Sequence, residues 1–235
     1  MATNRKASLI KGIFLAVTFW AVLILIFSPV FGQGRNGLQY ADDLFNRLSK
    51  GSSHFIPNLS AMNEKFKGRA FSLSLKEDKT DADARIVLGK NGVTVEKVDG
   101  KLTISGDLGA MLAAVLRDSE DMYQNQGEKL TALYGIEHKT ALKTWWSVLK
   151  RMDGKLKLDG KLEEAGIISE VMKKAVEPAY NYYGIDAEKV ADKAVLMTST
   201  LVFYVIYTLW WGFAIFYIFD GIGLSMTKKG FKKEV

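Results

Sequence analysis

Residues 12–31 read GIFLAVTFWAVLILIFSPVF, twenty residues without a charge, whose most polar members are Thr18 and Ser28. At about 1.5 Å of rise per residue, a helix of this length matches the roughly 30 Å hydrocarbon layer of a bilayer. A second stretch, 194–219, gives twenty-six uncharged residues bounded by Lys193 and Asp220. These two runs decide the architecture: two transmembrane helices, 12–31 and 194–219, enclosing a domain at 32–193. Arg5, Lys6 and Lys11 also form a basic leader, and Val30-Phe31-Gly32 loosely fits a cleavage site. The apolar run exceeds the roughly 7 to 15 residues of a secretory core, so a retained anchor is expected.

Orientation follows from the basic residues beside the spans. Arg5, Lys6 and Lys11 precede the first without an acid, and Lys228, Lys229, Lys232 and Lys233 follow the second with Glu234 opposing them. The positive-inside rule then puts segments 1–11 and 220–235 in the cytoplasm and 32–193 outside it, in the periplasm of a bacterium. The net charge of +6 has the same origin, because residues 32–193 hold 25 basic against 24 acidic residues. A basic excess confined to the membrane flanks disfavours nucleic acid. The chain has no cysteine, which removes disulfides, thiolate nucleophiles and Cys-ligated metals.

Within 32–193 the fold class expected is α+β. Leu38, Ala41, Phe45 and Leu48 recur at helical steps over 34–49, with Gly51 as a stop, and a short helix is expected at 57–66 with Leu59, Met62 and Phe66 on its apolar face. Phe71, Leu73 and Leu75 then alternate with polar residues, Ile86 and Leu88 follow an acidic loop, and Asn91-Gly92 and Asp99-Gly100 bracket Val93 to Glu96 before Leu102 to Ile104. This predicts an antiparallel meander of about four strands. A helix over 107–124 carries Leu108, Met111, Leu112, Val115 and Leu116 on one side and is the expected cover. Further helices are expected around 140–152 and over 161–183, broken near Pro178. A last helix capped by Asp186 is expected to run unbroken into the second span.

Few residues suggest chemistry. His54 and His138 lie far apart in sequence with no relay partner in a recognisable pattern, the acidic loop 78–83 lacks the calcium-loop pattern, and no phosphate-binding glycine motif occurs. No catalytic, cofactor-binding or metal-ligating residue is therefore assigned, and no cofactor is expected. Asp99 to Gly106 and Asp153 to Gly160 echo one another, each reading as a turn, a short strand and a helix start. GKLKLDG at 154–160 resembles a stretch of the sterol-carrier lipid-binding family, which implies an apolar ligand between sheet and helices.

The more suggestive residues belong to the membrane. Tyr180, Tyr182 and Tyr183 precede the second span by about ten residues and are expected at the headgroup level, as amphipathic rings prefer. Trp145 and Trp146 share that reading or core packing. Thr200, Tyr204, Thr208 and Trp211 line one face of the second span, the composition of a contact with another helix, and Asp220 is expected as an interfacial carboxylate. Together these predict a non-enzymatic accessory or scaffold subunit of a bacterial inner-membrane complex, whose partners are another membrane protein or a second copy, and the bilayer. The alternatives are a membrane-tethered domain binding a lipid or other hydrophobic ligand, or a sensor signalling through a separate partner.

Overall fold

The computed structural model describes residues 2–98 and 100–224. The described chain is mixed α+β and mostly helical, and it divides into two units, residues 1–45 with 189–235 and residues 46–188. The basic residues Lys228, Lys229, Lys232 and Lys233, with Glu234, lie outside the described residues, as does Asp99.

In the first unit, α1 (Ala2–Phe27) packs along α10 (Ala194–Gly221). Both are long and apolar enough to cross a membrane. Helix α1 stops four residues before the apolar run does, because Ser28 precedes Pro29 and the proline ring disfavours helical backbone there. Close packing is permitted by glycine. A Cβ on Gly12 would lie 2.6 Å from the Ile218 nitrogen, and one on Gly221 would lie 2.6 Å from the Leu9 Cβ.

The second unit holds a three-stranded antiparallel sheet of β1 (Ala70–Leu75), β2 (Thr94–Val98) and β3 (Lys101–Asp107), in the order β1-β3-β2. Two expectations are corrected here. Ile86 and Leu88 lie on α4 (Asp81–Lys90), not on a strand, because Ala84, Val87 and Leu88 bury a helical stripe that the short apolar run concealed. The sheet is consequently not a meander: β2 and β3 form a hairpin with Gly100 in its turn at φ +73°, and β1 joins the far side of β3, with Leu73 opposite Ile104. Asn91 caps α4 and Gly92, at φ +76°, turns the chain into β2. Phe71, Leu73 and Leu75 face inward while Ser72 and Ser74 face out. The cover is shared by α4, α5 (Leu108–Tyr123) and α7 (His138–Leu158), not supplied by α5 alone.

Helix α2 (Gly37–Ser52) buries Leu44 and Leu48, whereas Leu38 and Phe45 are exposed. Helix α3 (Ile56–Asn63) leads through a 3-10 turn at Glu64–Phe66, close to the expected 57–66. Helix α6 (Glu128–Tyr134) has no counterpart among the expected elements. The segment 153–160 continues α7 to Leu158 instead of forming a strand; Leu156 is buried and Leu158 is 86% exposed. The two echoing segments therefore adopt different structures. Helix α8 (Leu162–Val171) passes through a π-helical turn at Met172–Val176 into α9 (Glu177–Asn181). Pro178 has no N–H to give and would crowd the carbonyl four residues back, which the wider turn relieves.

No continuous helix joins α9 to α10. Gly184, at φ +85°, ends α9's turn, Ile185–Lys189 is irregular, and a 3-10 turn at Val190–Lys193 precedes α10, so Asp186 caps nothing. The backbone of this segment is spent elsewhere. Lys50, 2% exposed, donates to the Ile185 carbonyl at 2.6 Å, the Tyr182 carbonyl at 3.2 Å and Asn125 Oδ1 at 2.9 Å. The Glu188 amide donates to the Arg47 carbonyl at 3.1 Å, their side chains pair at 3.5 Å, and Gly51 lets the Glu188 carbonyl approach. Burial pulls the Lys50 ammonium below the usual lysine value, and Asp186 pulls the other way. The Tyr123 hydroxyl donates to the Lys50 carbonyl, and burial, with Tyr182 and Glu120 adding to it, pushes that hydroxyl up to about 12.

This packing makes two measurable predictions. A Cβ on Gly109 would lie 2.6 Å from Lys67 Cα, so Gly109→Val should cost about 2 kcal/mol and lower the thermal midpoint by roughly 5 °C, read by circular dichroism. Above about pH 10 an unfolded tyrosine releases its proton while folded Tyr123 keeps it, so the unfolded state binds fewer protons and stability falls from about pH 10 toward about 12. Tyr123→Phe should lose measurably less stability across that window in denaturant titrations.

Candidate functional site

Two surfaces merit comparison, one in each unit. On the helix pair, Phe19 stacks on Tyr207 at 4.2 Å between ring centroids and tilts against Trp211 at 4.6 Å, while Trp20 meets Trp211 edge-on at 6.4 Å. Trp210 Nε1 donates to the Leu15 carbonyl at 3.1 Å, and Ala214 is wholly buried against α1. The face of α10 that meets α1 is thus built on Tyr207, Trp210, Trp211 and Ala214. Of the four residues expected at a helix contact, Trp211 alone serves this intramolecular one. Thr200, Tyr204 and Thr208 are exposed, Tyr204 at 67%. The two threonine hydroxyls donate to the carbonyls four residues back, Leu196 at 2.9 Å and Tyr204 at 2.8 Å, which satisfies them within the helix. Asp220 is exposed in the last turn of α10.

In the domain, the tyrosines part company. Tyr182 and Tyr183 are half-buried against the core, Tyr183 with its ring 4.6 Å from that of His138. Tyr180 faces outward and lines a cleft of about 300 Å³ with Leu142, Lys143, Trp146, Val176, Glu177 and Asn181. Trp146 Nε1 donates to Glu177 Oε1 at 2.9 Å, which fixes the indole as one wall. Lys150 Nζ lies 4.5 Å from the Trp146 ring centroid, and Lys139 Nζ lies 5.8 Å and 5.7 Å from those of Tyr180 and Tyr183. Sequence reasoning missed this cleft. Its signal was the row Lys139, Lys143, Trp146, Lys150, at steps of four, three and four along one face of α7.

Trp145 points the other way, fully buried with its Nε1 donating to Asp118 Oδ2 at 2.8 Å. Asp118 is 1% exposed and also accepts from the Tyr134 hydroxyl and from Arg117, at 3.1 Å from Nε and 2.8 Å from Nη2. Burial raises the Tyr134 hydroxyl well above its usual range, with the Asp118 charge and hydrogen bond adding to it. With four donors on two oxygens this carboxylate is a structural tie among α5, α6 and α7. His54 Nε2 pairs with Glu120 Oε2 at 2.7 Å. In the acidic loop Asp78 accepts from the Thr80 amide at 2.9 Å and Asp81 from Arg151 at 2.7 Å, so both serve the start of α4. Among the described residues no three His, Asp or Glu side chains gather in a way that could hold a metal ion.

Comparison with protein families, curated proteins and solved structures finds no match to this chain. Removing the Asp118 tie tests how the domain is held. Asp118→Leu leaves Trp145 Nε1 and the Tyr134 hydroxyl buried without an acceptor and should cost about 3 kcal/mol, whereas Glu177→Gln at the cleft keeps an acceptor for Trp146 and should change the denaturation midpoint little.

Proposed function

We propose that the chain is a non-enzymatic accessory or scaffold subunit of a bacterial inner-membrane complex, crossing the membrane with α1 and α10 and presenting residues 32–193 to the periplasm. One observation carries the reading: Thr200, Tyr204 and Thr208 form an exposed row on α10, apart from the aromatic face that already packs on α1. In hydrocarbon, small polar and hydroxylic residues on a helix face favour contact with another helix over contact with acyl chains. The partner is a transmembrane helix of another subunit or of a second copy. The basic segments flanking both apolar helices support a topology with both termini cytoplasmic.

The absence of cysteine makes the topology directly testable. Single cysteines at Ala7 and Ala187 should differ in labelling by an impermeant maleimide in intact cells, with Ala187→Cys reactive and Ala7→Cys reactive only after lysis; the reverse pattern rejects the orientation. Purification in mild detergent should retain a membrane-protein partner or yield a homo-oligomer. The triple variant Thr200→Leu, Tyr204→Leu, Thr208→Leu should reduce that association by about twentyfold, since each such contact contributes about 0.6 kcal/mol. A stable monomer with no partner rejects the accessory role.

A further inference from the structure

We propose that the cleft between α7 and α9 holds an anionic phospholipid, with the part of an acyl chain nearest the glycerol between Trp146 and Tyr180 and the headgroup phosphate beside Lys143, in the field of Lys139 and Lys150. The proposal rests on the chain being membrane-anchored, as proposed above. Charge complementarity is its basis. The three lysines stand on one face of α7 over about 16 Å, all are exposed, and among the described residues none has a carboxylate within ion-pair distance. Many other lysines and arginines at the domain surface do pair, such as Lys155 with Asp159 at 2.5 Å and Lys157 with Asp153 at 2.7 Å on the same helix.

The one carboxylate lining the cleft, Glu177, has an oxygen engaged by the Trp146 indole. Glu137, near Lys139, accepts from the Thr140 amide at 2.7 Å and caps α7. Three lysines therefore stand against one carboxylate at the cleft, and the basic row continues past Lys150 to Lys76 and Lys101, which line a neighbouring cleft with Leu158.

The apolar half of the site fits the same ligand. Leu142, Val176 and the flat sides of Trp146 and Tyr180 form the lining, and about 300 Å³ admits a segment of an acyl chain but not a whole lipid. Lys139 and Lys150 hold their ammonium nitrogens over the Tyr180 and Trp146 rings, so exposed cations stand beside an apolar floor, the pairing that a headgroup with its acyl chain requires. A zwitterionic lipid would satisfy the cleft and leave the three cations uncompensated. The amphiphile is therefore an anionic one.

The full-length protein in nanodiscs of mixed phosphatidylcholine and phosphatidylglycerol tests this, using a trace of either lipid carrying a photoactivatable acyl chain and peptide mapping of the adducts. Both probes should label α1 and α10. The phosphatidylglycerol probe alone should also label residues 142–146 and 176–181. Lys139→Gln, Lys143→Gln and Lys150→Gln should each reduce the cleft signal by about fivefold at low salt and leave that on α1 and α10 unchanged. Trp146→Ala should abolish the cleft adduct, and circular dichroism confirms the fold of each variant. Equal cleft labelling by both probes, or no response to the lysine variants, overturns the proposal. So does a photoreactive residue at position 143 that captures a protein in place of lipid. If α1 and α10 are unlabelled, the membrane reading itself fails; if they are labelled and the cleft is dark, this inference alone fails.

Discussion

A single buried lysine closes the domain. The chain enters near Arg47 and leaves near Glu188, and Lys50, just inside the entry, donates all three of its hydrogen bonds to groups at the exit or beside it. No carboxylate shares a hydrogen bond with it among the described residues, so its desolvation is offset by two backbone carbonyls and one amide oxygen, with Asp186 as a more distant charge. The arrangement is specific because any shift of the exit segment strands a buried ammonium, which costs far more than a surface contact would. Asn125 completes it from the left-handed region at φ +60°, donating to the Ile185 carbonyl at 3.0 Å and accepting from the Gly184 amide at 2.8 Å. Each unit thus joins its own two ends, the domain through Lys50 and Glu188 and the apolar helices through their aromatic and glycine contacts.

That closure explains why the expected continuous last helix is absent. In a helix capped by Asp186, the Glu188 amide would be one of the first-turn donors without a partner in the helix, and the cap's carboxylate would take it. The domain instead uses this amide to hold the Arg47 carbonyl. The local sequence permits a helix and the tertiary contacts outweigh it, since propensity differences are about a few tenths of a kcal/mol per residue while a buried, unanswered polar group costs about 1–3 kcal/mol.

The same competition sorts what was legible in the sequence from what was not. The two apolar helices were legible because twenty or more uncharged residues admit few other readings. Helix α5 was legible because its five apolar residues, from Leu108 to Leu116, keep one face at helical spacing. Helix α4 was not, since its three buried residues, Ala84, Val87 and Leu88, are too few to separate a helix from a strand by period. The outward-facing row on α10 was readable as a face, but the contact with α1 was not, because a helix that is apolar all round offers no stripe to say which side meets a neighbour.

Trp145 and Trp146 show most sharply how a sequence pair can mislead. Adjacent residues on a helix point about 100° apart, so a tryptophan doublet cannot serve one surface. Trp145 belongs with Leu142, Leu149 and Met152 on the buried side of α7, and its indole N–H needs the internal acceptor that Asp118 supplies. Trp146 belongs with Lys139, Lys143 and Lys150 on the outer side, where its N–H finds Glu177 and its ring lies under a lysine. Taken as a doublet the two suggest one aromatic patch; taken at helical spacing they separate a core tie from a cleft wall. The inner indole fixes α7 against α5, and the outer one is thereby presented at a defined angle beside α9. A wall held in this way, from behind by a buried carboxylate and in front by Glu177, is rigid before any ligand arrives, so little ordering remains to be done on binding.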